Sequence, residues 1–239
     1  MRLPLAALLL GGPILLAGCA EKAPPQSAQA AAVQALPPGR LTRPASLEQR
    51  RRMVVDIYAS HPTDALSAEE MALYRLLMAH RAAHGLPPVP LSRALSITAA
   101  RHAVDTVENL GGFHVGEPGE SRAHAWSYMP YDGRNPATWP GMWEAPGRLG
   151  TGYLPAAYEI STGITGPGNP PMTPAIAMQS WRASPAHEDV ILNRGQWSPA
   201  RLHWRAVGIG LYRGVAHVWW GAEPDPSGQD ASRPTMAGL

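Results

Sequence analysis

The stretch Trp204-Arg-Ala-Val-Gly-Ile-Gly-Leu-Tyr212-Arg-Gly-Val215-Ala-His-Val-Trp-Trp-Gly221 decides the fold class. Val207, Ile209 and Leu211 alternate with Ala206, Gly208 and Gly210, the two-residue period of a half-buried strand. Arg213-Gly214 is a hairpin-type turn, and Val215 to Gly221 is the returning strand. The small residues on one side of the first strand predict that another backbone comes close there. His203 and His217 lie beside and within these strands and are open to a structural or a functional reading.

Upstream the periodicity is helical. Thr173 to Ser184 places Pro174 at the first helical position, with Ile176, Ala177, Ser180 and Trp181 inward. Ser92 to Leu110 is a longer helix whose Leu95, Ala99, His102, Ala103, Thr106 and Leu110 share a face, and Gly111-Gly112 stops it. On that apolar face His102 is expected as a core histidine with satisfied hydrogen bonds. Ser67-Ala-Glu-Glu70 is a capping box, in which the Ser67 hydroxyl and the Glu70 carboxylate satisfy each other's free N–H groups. It opens a helix with Met71, Tyr74, Leu77 and Met78 inward, ended by Gly85, Pro87 and Pro88. A shorter helix is expected from Ser46 or Leu47 to Ala59, with Arg50, Arg51 and Arg52 on a solvated face. From Phe113 to Pro155 no period holds. A loop of roughly 40 residues is either functional or poorly ordered, and Trp126, Trp139 and Trp143 either pack it down or line a groove. Helices followed by an antiparallel hairpin make the class α+β.

The 239 residues carry 45% hydrophobic and only 16% charged side chains, which is enough core to exclude wholesale disorder. A net charge of only +2 is not a nucleic-acid footprint, which needs basic residues clustered over a whole face. Arg2 and the apolar run Leu3 to Leu16 read as a secretory signal, too short and too interrupted by Gly11, Gly12 and Pro13 for a membrane span. Leu16-Ala-Gly-Cys19 resembles a bacterial lipobox. That resemblance implies cleavage of residues 1–18, a diacylglyceryl thioether on Cys19, and a further acyl chain such as palmitate on the new amine. Such an anchor places the protein in the bacterial cell envelope, with Ala20 favouring an outer membrane facing the periplasm over the cell surface. The sole cysteine is then the attachment point and not a nucleophile. Residues 20–45, rich in Ala, Pro and Gln, form a tether within a 19–66 linker, and residues 226–239 form a loose tail.

Of the nine histidines, His61, His80, His84 and His124 are expected in loops or on exposed helix faces without a chemical role. His114 follows Gly111-Gly-Phe113, and His187 sits in Trp181-Arg-Ala-Ser184-Pro-Ala-His187-Glu-Asp-Val-Ile-Leu192-Asn193. No Gly-x-Ser-x-Gly elbow, Walker loop or dinucleotide fingerprint is present. The ordered set Ala99-Ala-Arg-His102-Ala-Val-Asp105, Gly-Phe-His114, Tyr158-Glu-Ile160, Trp181 to Asn193, Ala206 to Gly210 and Val218 to Gly221 resembles the CAP superfamily. This superfamily contains the cysteine-rich secretory, antigen 5 and pathogenesis-related-one proteins, and the resemblance is to its bacterial SCP-like form. It covers roughly residues 67–225, with an insertion at about 115–155.

The resemblance implies a three-layer α-β-α sandwich around a short, mostly antiparallel sheet, with a His/Glu tetrad in a cleft. Its two histidines fall on His114 and His187, able to hold zinc or another divalent metal, and its first acid falls on Glu159. The second acid falls on Ser184, the usual Gly and Asn around Glu159 are absent, and His114 stands 45 residues before Glu159. Glu188, next to His187, would not share its helix face. Three functions follow. The first is a binding module for an extracytoplasmic lipid, glycan or protein, with Trp126, Tyr128, Tyr131, Trp139 and Trp143 as its recognition surface. The second is a metal-dependent hydrolase of peptide or envelope material, with His114, Glu159 and His187 catalytic. The third is a structural envelope protein.

Overall fold

The computed structural model describes residues 43–113, 122–164 and 171–227. The signal segment, Cys19, most of the tether, His114 and most of the tail lie outside them. Among the described residues no helix is long and apolar enough to cross a membrane.

The helices are α1 (Leu47–Arg52), α2 (Ala68–Ala83), α3 (Arg93–Val104), α4 (Pro140–Trp143), α5 (Ala145–Leu149), α6 (Pro174–Arg182) and α7 (Pro185–Ile191). The strands are β1 (Ala157–Gly163), β2 (Ala206–Tyr212) and β3 (Val215–Gly221), forming an antiparallel sheet in the order β1-β3-β2. The hairpin turns at Arg213-Gly214, with Tyr212 opposite Val215 and Gly210 opposite His217.

The two faces of the sheet differ in kind. Gly208 and Gly210 point at α3, and a Cβ on Gly210 would stand only 2.3 Å from the carbonyl carbon of Ala99. Those glycines let the α3 backbone rest directly on β2, as their spacing predicts. Their cross-strand neighbours Trp219 and His217 share that face, as do Glu159 and Ser161 on β1. The opposite face carries Val207, Ile209, Val218, Trp220, Tyr158 and Ile160. There the Arg81 guanidinium of α2 lies over Trp220, and Thr162 bonds Ser180 of α6 at 2.8 Å. Helix, sheet and helix make three layers, an α+β fold.

The free edge of β2 is closed by side chains and loop. Val207 N–H donates to the Pro90 carbonyl, Ile209 N–H to Ser96 Oγ, and Leu211 N–H to Glu70 Oε1. No unpaired row of N–H groups remains there to recruit another strand. Glu70 serves twice, because its Oε2 also accepts from Ser67 N–H in the capping box. That inward pull turns α2, so Glu70, Leu73, Leu77 and Arg81 are buried, whereas Met71, Tyr74 and Met78 are only half-buried.

Other expectations shift for local reasons. α1 stops at Arg52, where Met53 turns extended and Val55 exchanges backbone hydrogen bonds with the Asn109 side chain. α3 runs into a π-helical turn, Asp105–Asn109, before Gly111 and Gly112 leave in the positive-φ region. β1 carries no clear strand signal because its inner face presents Glu159 and Ser161. The described part of the 113–155 segment is packed: Trp126, Trp139 and Trp143 are 2%, 1% and 5% exposed and belong to the main core. They hold the segment down and do not form a recognition surface.

Candidate functional site

Glu159 is the centre of a buried polar cluster. It lies opposite Trp219, while His217 lies opposite Ser161, so both project from the face that meets α3. Because Gly210 admits Ala99 so closely, the next turn of α3 lays the His102 ring over the His217 ring, with centroids 4.3 Å apart. The helical turn Arg122–His124 brings in a third imidazole.

All three rings converge on one carboxylate. Glu159 Oε1 accepts from His102 Nδ1 at 2.5 Å and from His217 Nδ1 at 2.8 Å, and Oε2 accepts from His124 Nδ1 at 2.7 Å. The Glu159 side chain is 0% exposed. Burial alone would raise its pKa. The neighbouring His102 and His217, with the hydrogen bonds from His102 and His124, outweigh burial and hold the carboxyl well below the usual carboxylate range.

The protons can be placed from the partners. His102 Nε2 bonds the Ala125 carbonyl at 2.9 Å. A carbonyl and a carboxylate only accept, so both His102 nitrogens carry hydrogen and the ring is the cationic partner of Glu159. His217 differs: burial pushes its pKa down to about 4 against the pull of Glu159. Its Nδ1–H donates to Glu159, and its Nε2 accepts from the Thr106 hydroxyl at 3.3 Å.

The loop bearing His124 is fastened from several sides. Trp126 stacks on His102 with centroids 4.0 Å apart and planes at 14°. Ser127 N–H donates to Asp105 Oδ2 at 2.8 Å, and Asp105 Oδ1 accepts from Asn109 Nδ2 at 2.6 Å. Arg148 Nε donates to Tyr128 Oη at 2.8 Å.

His187 on α7 is the fourth imidazole. It is 7% exposed, and burial first, then positive charge at His124, push its pKa down to about 4. Its Nδ1 is buried without a hydrogen-bond partner.

Among the described residues two His/Glu groups bring their ligand atoms within 4.8 Å: His102–Glu159–His217 and His80–His84–Glu188. In the first, 2.5 and 2.8 Å are hydrogen-bond lengths. Donors sharing a tetrahedral zinc at ~2.0–2.1 Å stand about 3.3 Å apart, so this trio as built holds protons rather than an ion. The better candidate donor for an ion is His187. His187 is neutral with an orphaned nitrogen.

Neither a protein-family model nor a curated protein matches the chain. Two solved structures are similar to it. One is a cysteine-rich secretory protein from Staphylococcus aureus subsp. aureus Mu50, with 12% identity, a TM-score of 0.42, and 69% of this chain and 42% of that one covered. The other is an extracellular protein containing a SCP domain from Bacillus anthracis str. Ames, with 14% identity, a TM-score of 0.44, and 76% and 45% covered. The chain spans less than half the length of either. Likeness at this distance does not carry over the chemistry of a site, which rests on the residues themselves.

Of the residues expected from the sequence, Glu159 and His187 both come to this region, and His114 lies outside the described residues. His102 is a satisfied core histidine as expected, but its partner is Glu159. His124, expected to be idle in a loop, donates to the same carboxylate. Ser184 is the residue preceding α7, with a buried Oγ that has no hydrogen-bond partner. Glu188 turns away from His187 to bond His80 at 2.9 Å, so it does not supply the missing second acid.

Proposed function

We propose that this chain is an envelope-anchored binding module of the CAP type, tethered through lipid on Cys19. In this reading His187, whose buried Nδ1 has no hydrogen-bond partner, holds a divalent cation together with His114 and helps engage an extracytoplasmic lipid, glycan or protein. The anchor rests on the Leu16-Ala-Gly-Cys19 sequence and the Pro-rich tether that follows it.

The observation that favours binding over hydrolysis is the state of Glu159. Both its oxygens accept imidazole N–H groups and its side chain has no exposure, so it is built to position rings and not to take a proton from water. A hydrolase using His114, Glu159 and His187 would need that carboxylate free.

Zn²⁺ titration calorimetry on the chain carrying Cys19→Ala tests the site. His187→Ala and His114→Ala should each remove one bound ion, and unchanged stoichiometry and affinity in both would overturn the reading. The intact mass of the wild-type protein from a bacterial envelope tests the anchor. A chain beginning at Cys19 with acyl chains is expected, and an uncleaved, unacylated chain would refute it.

A further inference from the structure

The second His/Glu group stands apart from the Glu159 cluster, on the outer helical layer. His80 lies on α2 and His84 is the residue that caps its C-terminus one turn later, with ring centroids 4.6 Å apart. Residues at this spacing share a helix face. Glu188 comes from α7, and its Oε1 meets His80 Nε2 at 2.9 Å. The ligand atoms of the three lie within 4.8 Å of one another.

Three details give this group the character of a site. The Glu188 side chain is 17% exposed, yet its Oε2 is buried and has no hydrogen-bond partner. A buried carboxylate oxygen left unsatisfied is costly unless a cation or a donor meets it. His84 Nδ1 donates to the His80 carbonyl at 2.9 Å, which fixes the tautomer and leaves Nε2 with the lone pair, the backbone-carbonyl support typical of metal-ligating histidines. His84 is exposed, so water can reach the site and fill the remaining positions.

We propose that His80, His84 and Glu188 form a second cation site, of His₂-carboxylate composition, for a borderline transition-metal ion such as Zn²⁺, Ni²⁺ or Cu²⁺. Two imidazoles and one carboxylate suit these ions rather than Ca²⁺ or Mg²⁺, which take oxygen donors. Binding through His80 Nε2 requires the neutral ring to carry its one hydrogen on Nδ1, so the hydrogen shared with Glu188 is exchanged through solvent to Nδ1 and the Glu188 carboxylate is left to meet the ion. It also requires that contact to open from 2.9 Å to about 3.3 Å. The ion would join α2 to α7 beside the existing contact of Arg81 with Asn193 Oδ1 at 2.9 Å. The inference does not depend on the cleft reading above.

Zn²⁺ titration of the Cys19→Ala chain, with Ni²⁺ and Mg²⁺ in parallel, tests it. Changing a mere partner of a metal ligand costs ~10–100-fold in affinity, so His84→Ala and Glu188→Gln should each weaken one Zn²⁺ site at least about 10-fold. His187→Ala should leave that same site intact, which separates it from the cleft. Because His84 is exposed, His84→Ala should keep the fold, and circular dichroism checks this. Cu²⁺ electron paramagnetic resonance provides a second readout: two coordinated nitrogens are expected, reduced to one in His84→Ala. Zn²⁺ affinity unchanged in both variants, or Mg²⁺ binding as tightly as Zn²⁺, would overturn the proposal.

Discussion

His102 and Glu159 stand 57 residues apart in sequence and meet at 2.5 Å in the interior, an imidazolium against a carboxylate that also receives His124 and His217. Glu159→Gln keeps the shape and removes the charge. One amide oxygen then replaces two acceptors, and the amide N–H₂ faces an imidazole donor. Breaking a buried pair on one side costs about 3–5 kcal/mol, so urea unfolding of Glu159→Gln should show a loss of that order. A loss under about 1 kcal/mol would contradict the charge pairing assigned here.

Gly210 and Ala99 make the next prediction. A methyl at Gly210 would meet the Ala99 carbonyl carbon and oxygen and the Ala100 nitrogen at 2.3 to 2.4 Å, all of them backbone that cannot rotate away. Gly210→Ala should destabilise by about 1–3 kcal/mol or more, and lifting α3 should weaken the bond from His102 to Glu159. The His102 imidazole N–H resonance would report the second effect. An unchanged resonance would show that the close approach does not set the site.

Acid should destabilise the protein through its buried neutral imidazoles. His187 and His217 have folded pKa values of about 4, below the value of about 6.5 expected when unfolded. Between those values the unfolded chain binds more protons than the folded one, so stability falls as pH drops from about 6.5 toward 4. Each group contributes up to about 3 kcal/mol over that window. Glu159, depressed when folded, adds a further loss below the unfolded carboxylate range, as pH falls through its folded pKa. Denaturation midpoints at a series of pH values measure this, and His187→Gln should flatten the slope.

Trp126 packs flat on His102 and fastens the His124 loop. Trp126→Ala removes that packing and should cost about 3–5 kcal/mol. Limited proteolysis should then cut near residues 122–131 in the variant before the wild type is cut. Equal cleavage rates would mean that Asp105 and Arg148 suffice to hold the loop.

The fold was more legible than the site. The hairpin from Trp204 to Gly221 could be read because alternation and a two-residue turn are local signals, and the Gly208/Gly210 face announced the helix that covers it. With the turn at Arg213-Gly214, the register also places His217 on that glycine face. His102 lies on the covering helix, so their meeting was within reach of the pattern. His124 was not, since its position depends on long-range fastening by Trp126, Asp105 and Arg148 inside a segment without period. β1 was hidden because alternation fails when a buried strand turns a glutamate and a serine inward. His80 and His84 read in the sequence as exposed histidines without a chemical role, because the third member of their group, Glu188, arrives only through the packing of α7 on α2.

The convergence on Glu159 also bears on the order of folding. Its three partners are separated from it by 57, 35 and 58 residues, and none is joined to it by a local element. Contacts of such long sequence separation are slow to form, because the chain must close large loops before they are rewarded. α3, the hairpin, β1 and the His124 loop must all be seated before the third ring nitrogen finds its acceptor. The cluster is therefore expected as a late event in refolding: helical circular dichroism should recover first, and the downfield imidazole protons of His102, His124 and His217 should emerge only with the last, slowest phase.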